Sequence, residues 1–304
     1  MEFVKSPLNY VGGKYKLLHQ ILPVFPSNIN TFVDLFTGGC NVGINVHSKN
    51  IICNDIQTEV VDLMRYMKAT SHKALVDEIE SIIEEYGLSR SDLYGYEYYG
   101  VNSSKGLVSV NKSAFEDLRH EYNNDTNQHF NKNALFYTLV IFSFNNAIRF
   151  NENNQYNQSC NKRDFNKNLR KSLESFMLAL EDKEIHFTNS DFRKFDFSNL
   201  TTEDFVYCDP PYFISDVAYN QSNHKWSEED ELDLFKALDV LNEKGIKFAL
   251  SNVTKNKGKE NNNLINWMKQ YRVIDLNHSY KNSYFSSKDK SDSSTSEVLI
   301  VNYA

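Results

Sequence analysis

Short apolar runs that end in glycine or acid alternate along this chain with longer stretches of helical period. Phe32-Val33-Asp34-Leu35-Phe36 precedes the pair Gly38-Gly39 and reads as a buried strand leaving through a tight turn. Ile51-Ile52-Cys53-Asn54-Asp55 reads as a second buried strand ending in an acid, with room for a short helix between the two. From about Glu59 to Glu85 apolar residues recur at helical spacing, at Val60, Leu63, Met64 and Met67, then at Leu75, Ile79, Ile82 and Ile83. Phe136 to Phe144 is an apolar run long enough for a buried helix. The next stretch, 145–168, is dense in Asn, Gln, Arg and Lys and reads as surface loops or a hairpin. The alternation then resumes. Ile185-His186-Phe187, Asp204 to Cys208, Lys247 to Asn252 and Glu297 to Tyr303 read as strands. Ser227 caps a helix with apolar positions Leu232, Phe235, Leu238 and Leu241, stopped by Gly245, and Leu264 to Tyr271 reads as another helix.

Strand, turn, helix, strand and terminal acid is the opening of an α/β doubly wound sheet, interrupted by a polar and helical insertion. The chain has 304 residues, 40% hydrophobic and 24% charged, which excludes a disordered or collagen-like chain. No apolar stretch approaches the ~18 residues of a membrane span. No apolar leader is seen at the start, so the cytoplasm is the expected location. Cys40, Cys53, Cys160 and Cys208 form no CxxC pair and no metal-ligand spacing, so free thiols and no metal are expected.

Asp209-Pro210-Pro211-Tyr212 at a strand end carries the most chemistry. Two prolines cannot continue a strand ladder, so they fix a rigid exit at the carboxyl edge of the sheet, where open α/β sheets bind ligands. An acid, a fixed carbonyl and an aromatic ring presented together suit methyl transfer to an exocyclic base amine. Hydrogen bonds from the amine to the Asp209 carboxylate and the Pro210 carbonyl localise its lone pair, while Tyr212 stacks on the base. Transfer in line from a sulfonium methyl then needs positioning, and a base within a duplex must first be flipped out. The Gly38-Gly39 turn allows close backbone approach to a ligand but lacks GxGxxG spacing. Asp55 is placed for ribose hydroxyls, or is a plain turn residue. Tyr10-Val11-Gly12-Gly13-Lys14 does not match a phosphate loop. Cys208, inside its strand, and His186 read as structural.

The ordered set Tyr10-Val-Gly-Gly-Lys14, Asp34-Leu-Phe-Thr-Gly-Gly39, Asn54-Asp55 and Asp209-Pro-Pro-Tyr212 resembles the Dam-type (D12 class, alpha group) DNA adenine-N6 methyltransferases, most nearly those of T-even phages. The likeness extends to Asn145-Asn-Ala-Ile-Arg149-Phe-Asn151, Leu250-Ser-Asn252 and Ser296-Glu-Val-Leu-Ile300. It implies a Rossmann-like fold and S-adenosylmethionine as donor. Tyr10, Lys14, Asp34, Phe36, Gly38, Gly39, Asp55, Asp191, Phe192 and Asp209 would line the cofactor site, with Tyr10 and Lys14 near its methionine end, Asp55 on the ribose and Asp191-Phe192 flanking its adenine. Asp209, Pro210, Pro211 and Tyr212 would be catalytic. Double-stranded DNA is the implied partner. Phe144 and Asn145 would probe the duplex beside the flipped base and Arg149 would read guanine, with Asn151, Lys162 and Arg163 as further DNA contacts. Residues 1–58 and 176–304 would form the catalytic domain and 59–175 the inserted recognition domain, in a monomer or weak dimer.

Two positions depart from that pattern. Cys40 stands where many relatives carry a third glycine or another small residue. Ser159-Cys160-Asn161 stand where GATC-methylating relatives have Pro-Phe-Gly before the Lys-Arg pair, so GATC is an expectation only. N4-cytosine or RNA amino-methylation, or a noncatalytic nucleotide-binding module, remain as alternatives, and a restriction partner is not visible in the residues. The net charge of -7 at first disfavours DNA. Yet the bases gather in two runs, Lys162 to Lys171 and Lys244 to Lys259, which predicts a bipolar protein whose DNA binding weakens with salt, unless both runs are solvated faces.

Overall fold

The computed structural model describes residues 3–10, 12–215, 226–277 and 295–304; Val11 of the N-terminal motif lies outside them. The described residues divide into two compact units, one of residues 3–10, 12–13 and 57–183, the other of residues 14–56, 184–215, 226–277 and 295–304. In chain order the helices are α1 (Leu18–Ile21), α2 (Thr58–Ala69), α3 (His72–Tyr86), α4 (Ser91–Tyr98), α5 (Val108–Asn124), α6 (Lys132–Phe142), α7 (Lys167–Glu181), α8 (Glu228–Glu243) and α9 (Asn262–Trp267). The strands are β1 (Thr31–Asp34), β2 (Asn50–Asp55), β3 (Ile185–Asn189), β4 (Phe205–Cys208), β5 (Lys247–Asn256), β6 (Lys259–Glu260), β7 (Arg272–Leu276) and β8 (Ser296–Val301).

The second unit is a single sheet of order β3-β2-β1-β4-β5-β8-β7, with β6 paired to β5. β3, β2, β1, β4 and β5 run parallel, while β8 is antiparallel to both β5 and β7. Val33, Val206, Cys208, Phe248, Leu250 and Ile300 are buried with Leu234, Phe235, Leu238 and Leu241 of α8, which is why these strands read as continuous apolar runs. From β1 the chain order passes outward to β2 and β3; from β4 it passes the other way to β5. The switch point therefore lies between β1 and β4, and the crevice at their carboxyl ends is the ligand position of such a sheet.

The first unit is helical. α6 is buried on all sides from Ala134 to Phe142 and packs against α2, α3 and α5. Tyr122 of α5 stacks on Phe136 of α6 at 5.7 Å between ring centroids. Residues 3–10 and 12–13 belong to this unit rather than to the sheet with which residues 1–58 were grouped: Ser172 donates to the Lys5 carbonyl and Asn9 to that of Asn145.

Other expectations change in detail. The helix over 59–85 is two helices, because Thr70 is extended and the Ser71 hydroxyl accepts from Ala74 N to start α3. The apolar run to Phe144 stops as a helix at Phe142, where Ser143 turns back to the Val140 carbonyl. No helix joins β1 to β2. Gly38 and Cys40 have positive φ, and single turns from Cys40 to Thr37 and from Ile44 to Cys40 replace one. α1, α4, α5, α7, β6 and β7 are additions to the elements read from the pattern.

Gly106, before α5, has φ +70°, and a Cβ there would lie 2.5 Å from Lys162 Cβ and 2.8 Å from the Lys162 carbonyl. That carbonyl accepts from Leu107 N, so the close approach is fixed by backbone. Gly106→Ala is expected to lower unfolding stability by about 1–3 kcal/mol, read from urea midpoints. An unchanged midpoint would show that Lys162 moves aside freely.

Candidate active site

Four buried strand residues carry Phe205 to Cys208 into Asp209, and Pro210 and Pro211 end the ladder there. Asp209 sits at the carboxyl end of β4, next to Asp34 at the end of β1, with Asp34 paired in register to Tyr207. Lys14, buried in a 3-10 turn, places Nζ 2.7 Å from Asp209 Oδ2 and 3.4 Å from Glu297 Oε1. The Tyr212 hydroxyl lies 2.9 Å from Glu297 Oε1 and 3.2 Å from Asp209 Oδ1. Lys14 Nζ also lies 5.1 Å from the centre of the Tyr212 ring. One ammonium and one phenol thus tie together two carboxylates, Asp209 and Glu297. Burial pushes the Asp209 carboxyl up to about 6, against the opposing pull of Lys14.

The turn after β1 is organised by its acids. Asp34 Oδ2 accepts from Thr37 Oγ1 and Gly43 N, both at 3.2 Å. Its Oδ1 is buried with no hydrogen-bond partner among the described residues. Burial, and then the charge of Asp209, raise the Asp34 carboxyl to about 7. Asp55 Oδ2 accepts from Gly38 N at 2.8 Å, holding the glycine turn from the next strand. Asn54 stitches the strand ends, donating to the carbonyls of Leu35 and Ser190. Cys40 adopts φ +59°, the left-handed region that a third glycine would occupy without strain, and its Sγ lies 3.5 Å from that of Cys53.

Phe36, Phe192 and Trp226 form an aromatic group beside this turn, each pair of rings 5.6 Å apart. Asp191 caps the turn that carries Phe192 by accepting from Arg193 N. Lys14, Asp34, Phe36, Gly38, Gly39, Asp55, Asp191, Phe192, Asp209, Pro210, Pro211 and Tyr212 therefore all belong to the sheet unit, while Tyr10 belongs to the helical one.

The candidate DNA contacts lie in the helical unit. Phe144 is half-exposed, and Asn145 and Asn146 after it have positive φ. Arg149, Asn151 and Asn157 lie on a short hairpin closed by a Phe150–Tyr156 bridge, and a Ser143–Cys160 bridge closes its base. Lys162 and Arg163 are exposed. Arg170, from the same basic run, is instead committed to Glu80 at 2.6 Å and Asp92 at 3.1 Å, over the ring of Phe165. That run supplies fewer cations to a ligand than its letters suggest.

A family model described as D12 class N6 adenine-specific DNA methyltransferase matches residues 10–282. The chain belongs to that family. Type II methyltransferase M.FokI of Planomicrobium okeanokoites is 44% identical over 99% of this chain, and modification methylase StsI of Streptococcus sanguinis is 43% identical over 99%. Modification methylase LlaI of Lactococcus lactis is 31% identical over 89%. The chain spans 43% of the length of M.FokI and StsI and 40% of that of LlaI. The likeness found at this level is thus to bacterial modification methylases rather than to T-even phage enzymes specifically.

In this member of the D12 family, two residues of the candidate site were missed in the sequence reading. Glu297 was read only as part of the last strand; its signal is a lone acid beside the apolar run Val298 to Val301, and it is buried with its carboxylate on Lys14 and Tyr212. Trp226 precedes the helix cap and gave no periodic signal at all. Among the described residues, no helix is long and apolar enough to cross a membrane.

The raised acid at Asp34 has a thermodynamic signature. Between the ordinary carboxylate range and pH about 7, the folded chain keeps a proton that the unfolded chain has lost. This contribution to stability is complete below pH about 4 and is lost as pH rises to about 7, at most about 1.4 kcal/mol per unit. Asp34→Asn, which cannot ionise, should gain on the wild type over that window in urea titrations. Parallel pH profiles for the two proteins would refute a buried, protonated Asp34.

Proposed function

We propose that this chain transfers a methyl group from S-adenosylmethionine to adenine N6 of a base flipped out of duplex DNA. The observation that carries this reading is Asp209 held between Lys14, Tyr212 and Glu297 at the sheet's switch point, in a chain of the D12 family. The donor suits the residues present. Asp209 and Glu297 share the buried Lys14, Asp34 lies near enough to Asp209 and Asp55 for their charges to raise its carboxyl, and Asp34 Oδ1 has no hydrogen-bond donor among the described residues, a set of acids that favours a cationic ligand able to donate. S-adenosylmethionine supplies an electrophilic methyl on a sulfonium, and its ammonium is a donor of the kind that Asp34 lacks.

In this reading Asp34, Asp55 and the Gly38-Gly39 turn hold the donor, and Phe36, Phe192 and Asp191 flank its adenine. Tyr10 and Lys14 lie near its methionine end. The Asp209 carboxylate and the Pro210 carbonyl accept from the target amine, the Pro210-Pro211 pair fixes both acceptors, and Tyr212 stacks on the base. Asp209 must be ionised to accept, and Lys14 beside it favours that form. Residues 59–175 serve as the recognition domain, with Phe144, Asn145, Arg149, Asn151, Lys162 and Arg163 on DNA. The site is GATC or a related short sequence, and Ser159-Cys160-Asn161 is where it would differ. Cytoplasmic action as a monomer or weak dimer accompanies this reading.

Sequencing with base-modification detection, on DNA treated with the purified chain and donor, is expected to find N6-methyladenine at one short site. Asp209→Ala should lose methylation by at least about a hundredfold while keeping DNA affinity within a few-fold. For the wild type, kcat/KM should rise with pH through about 6 and then level. Lys14→Met should move that limb upward. N4-methylcytosine as the sole product, or full activity in Asp209→Ala, would overturn the reading.

A further inference from the structure

The hairpin from Ile148 to Gln158 has a strict inside and outside. Ile148, Phe150, Tyr156 and Gln158 are buried, while Arg149 and Gln155 are exposed, as alternation along two paired arms requires. Asn157 N donates to the Arg149 carbonyl at 3.0 Å and Asn151 N to that of Gln155 at 2.9 Å. Arg149 and Asn157 therefore stand opposite each other and turn outward together.

Their side chains are engaged in a particular way. Arg149 Nε donates to Asn157 Oδ1 at 2.8 Å, and Arg149 Nη2 donates to the Asn157 carbonyl at 2.7 Å. One residue thus presents two acceptors to one edge of the guanidinium. A guanidinium has five donors in a rigid fork, so occupying Nε and one Nη2 hydrogen leaves the other edge, Nη1 with the second Nη2 hydrogen, directed away from Asn157. No described residue accepts from Nη1.

The platform under this pair is also held. Asn123 of α5 donates to the Tyr156 carbonyl at 3.0 Å and accepts from Tyr156 N at 2.8 Å, as a neighbouring strand would. Arg119, one helical turn earlier, donates to the Gln158 carbonyl at 2.9 Å. The Tyr156 hydroxyl donates to the Ala147 carbonyl at 3.0 Å, joining the two arms underneath. The acceptors on Asn157 accordingly stand on fixed backbone rather than a free loop tip.

We infer that Asn157 is a specificity-positioning residue, holding the Arg149 guanidinium so that its Nη1–Nη2 edge meets O6 and N7 of a guanine in the recognition sequence. The inference rests on the DNA-methylating reading above. Asn157 touches no base; it acts through Arg149. With the Asn157 amide removed, Arg149 keeps its charge but can swing to phosphates, and a phosphate contact carries no sequence information. Ordering a long side chain in advance is worth roughly a two- to tenfold preference.

The test compares methylation at the preferred site with sites altered at each G·C pair in turn, for wild type, Asn157→Ala, Asn157→Asp, Arg149→Ala and the double variant Arg149→Ala/Asn157→Ala. Asn157→Ala is expected to lose roughly two- to tenfold in discrimination at one guanine, the same one relaxed by Arg149→Ala, with kcat on the preferred site largely kept. Asn157→Asp, which retains an acceptor for Nε, should keep the preference. The double variant should be no less selective than Arg149→Ala alone. A uniform loss across all sites, unchanged discrimination in Asn157→Ala, or relaxation at a different pair would overturn the inference while leaving methylation by the wild type intact. A wild-type chain that methylates no DNA overturns both.

Discussion

A carboxylate buried at the end of a parallel strand beside a single lysine is the constraint on which the site depends. Asp209 is held off water, which favours its neutral form, and Lys14 at 2.7 Å pulls it back toward the ionised one. Neither group tolerates burial alone, since breaking a buried pair leaves an uncompensated charge. Glu297 and Tyr212 share in the pairing, so the last strand, the turn before α1 and the exit of β4 are bound to one another through side chains. Asp34 adds a third acid to the neighbourhood, and its carboxyl is pushed up to about 7. The arrangement is incomplete in one definite sense: Asp34 Oδ1 is a buried acceptor that no described residue fills.

The sheet makes such an arrangement tolerable. Parallel strands end together at the switch point, so acids at the ends of β1, β2 and β4 approach one crevice without sharing a strand. The backbone that would otherwise turn freely after those ends is fixed by the same groups. Asp34 and Asp55 take N–H groups of the glycine turn, Asn54 takes and gives hydrogen bonds between two loops, and the two prolines remove the ladder beyond Cys208. The acids are therefore part of the reason that the crevice has a fixed form.

Much of this was legible where local chemistry and pattern coincide. Asp209-Pro-Pro-Tyr212 announces its own geometry, because proline ends a strand whatever surrounds it. The buried strands were readable because both faces are covered and their sequences are correspondingly unbroken. The turn after β1 was misread as a helix because its residues permit one; Asp34 and Asp55, distant in sequence from the amides they bind, decide against it. α5 went unread because its buried positions Asn111, Phe115, Leu118 and Tyr122 include a polar residue, Asn111, which bonds Ser89 inside the unit. Glu297 was hidden by its apolar neighbours. The polar stretch 145–168 allowed surface loops and a hairpin alike, since arms of three alternating residues lie below what periodicity resolves.

The charge of the chain gains a different meaning from the placement of its arginines. Counting bases in a run treats each as available to a phosphate. Arg90 and Arg170 are not: they are joined with Glu80 and Asp92 in a network that secures α7 to the rest of the helical unit. Arg149 is restrained on one edge by Asn157. On the DNA-binding reading, the cations left to phosphates are mainly exposed lysines and Arg163, whose affinity salt would screen and which would carry no sequence information. A net charge of -7 gives no attraction through the overall field on that reading. On the same reading, selectivity falls to a small number of side chains whose direction is fixed beforehand, and the paired face of Arg149 and Asn157 in the helical unit has that build.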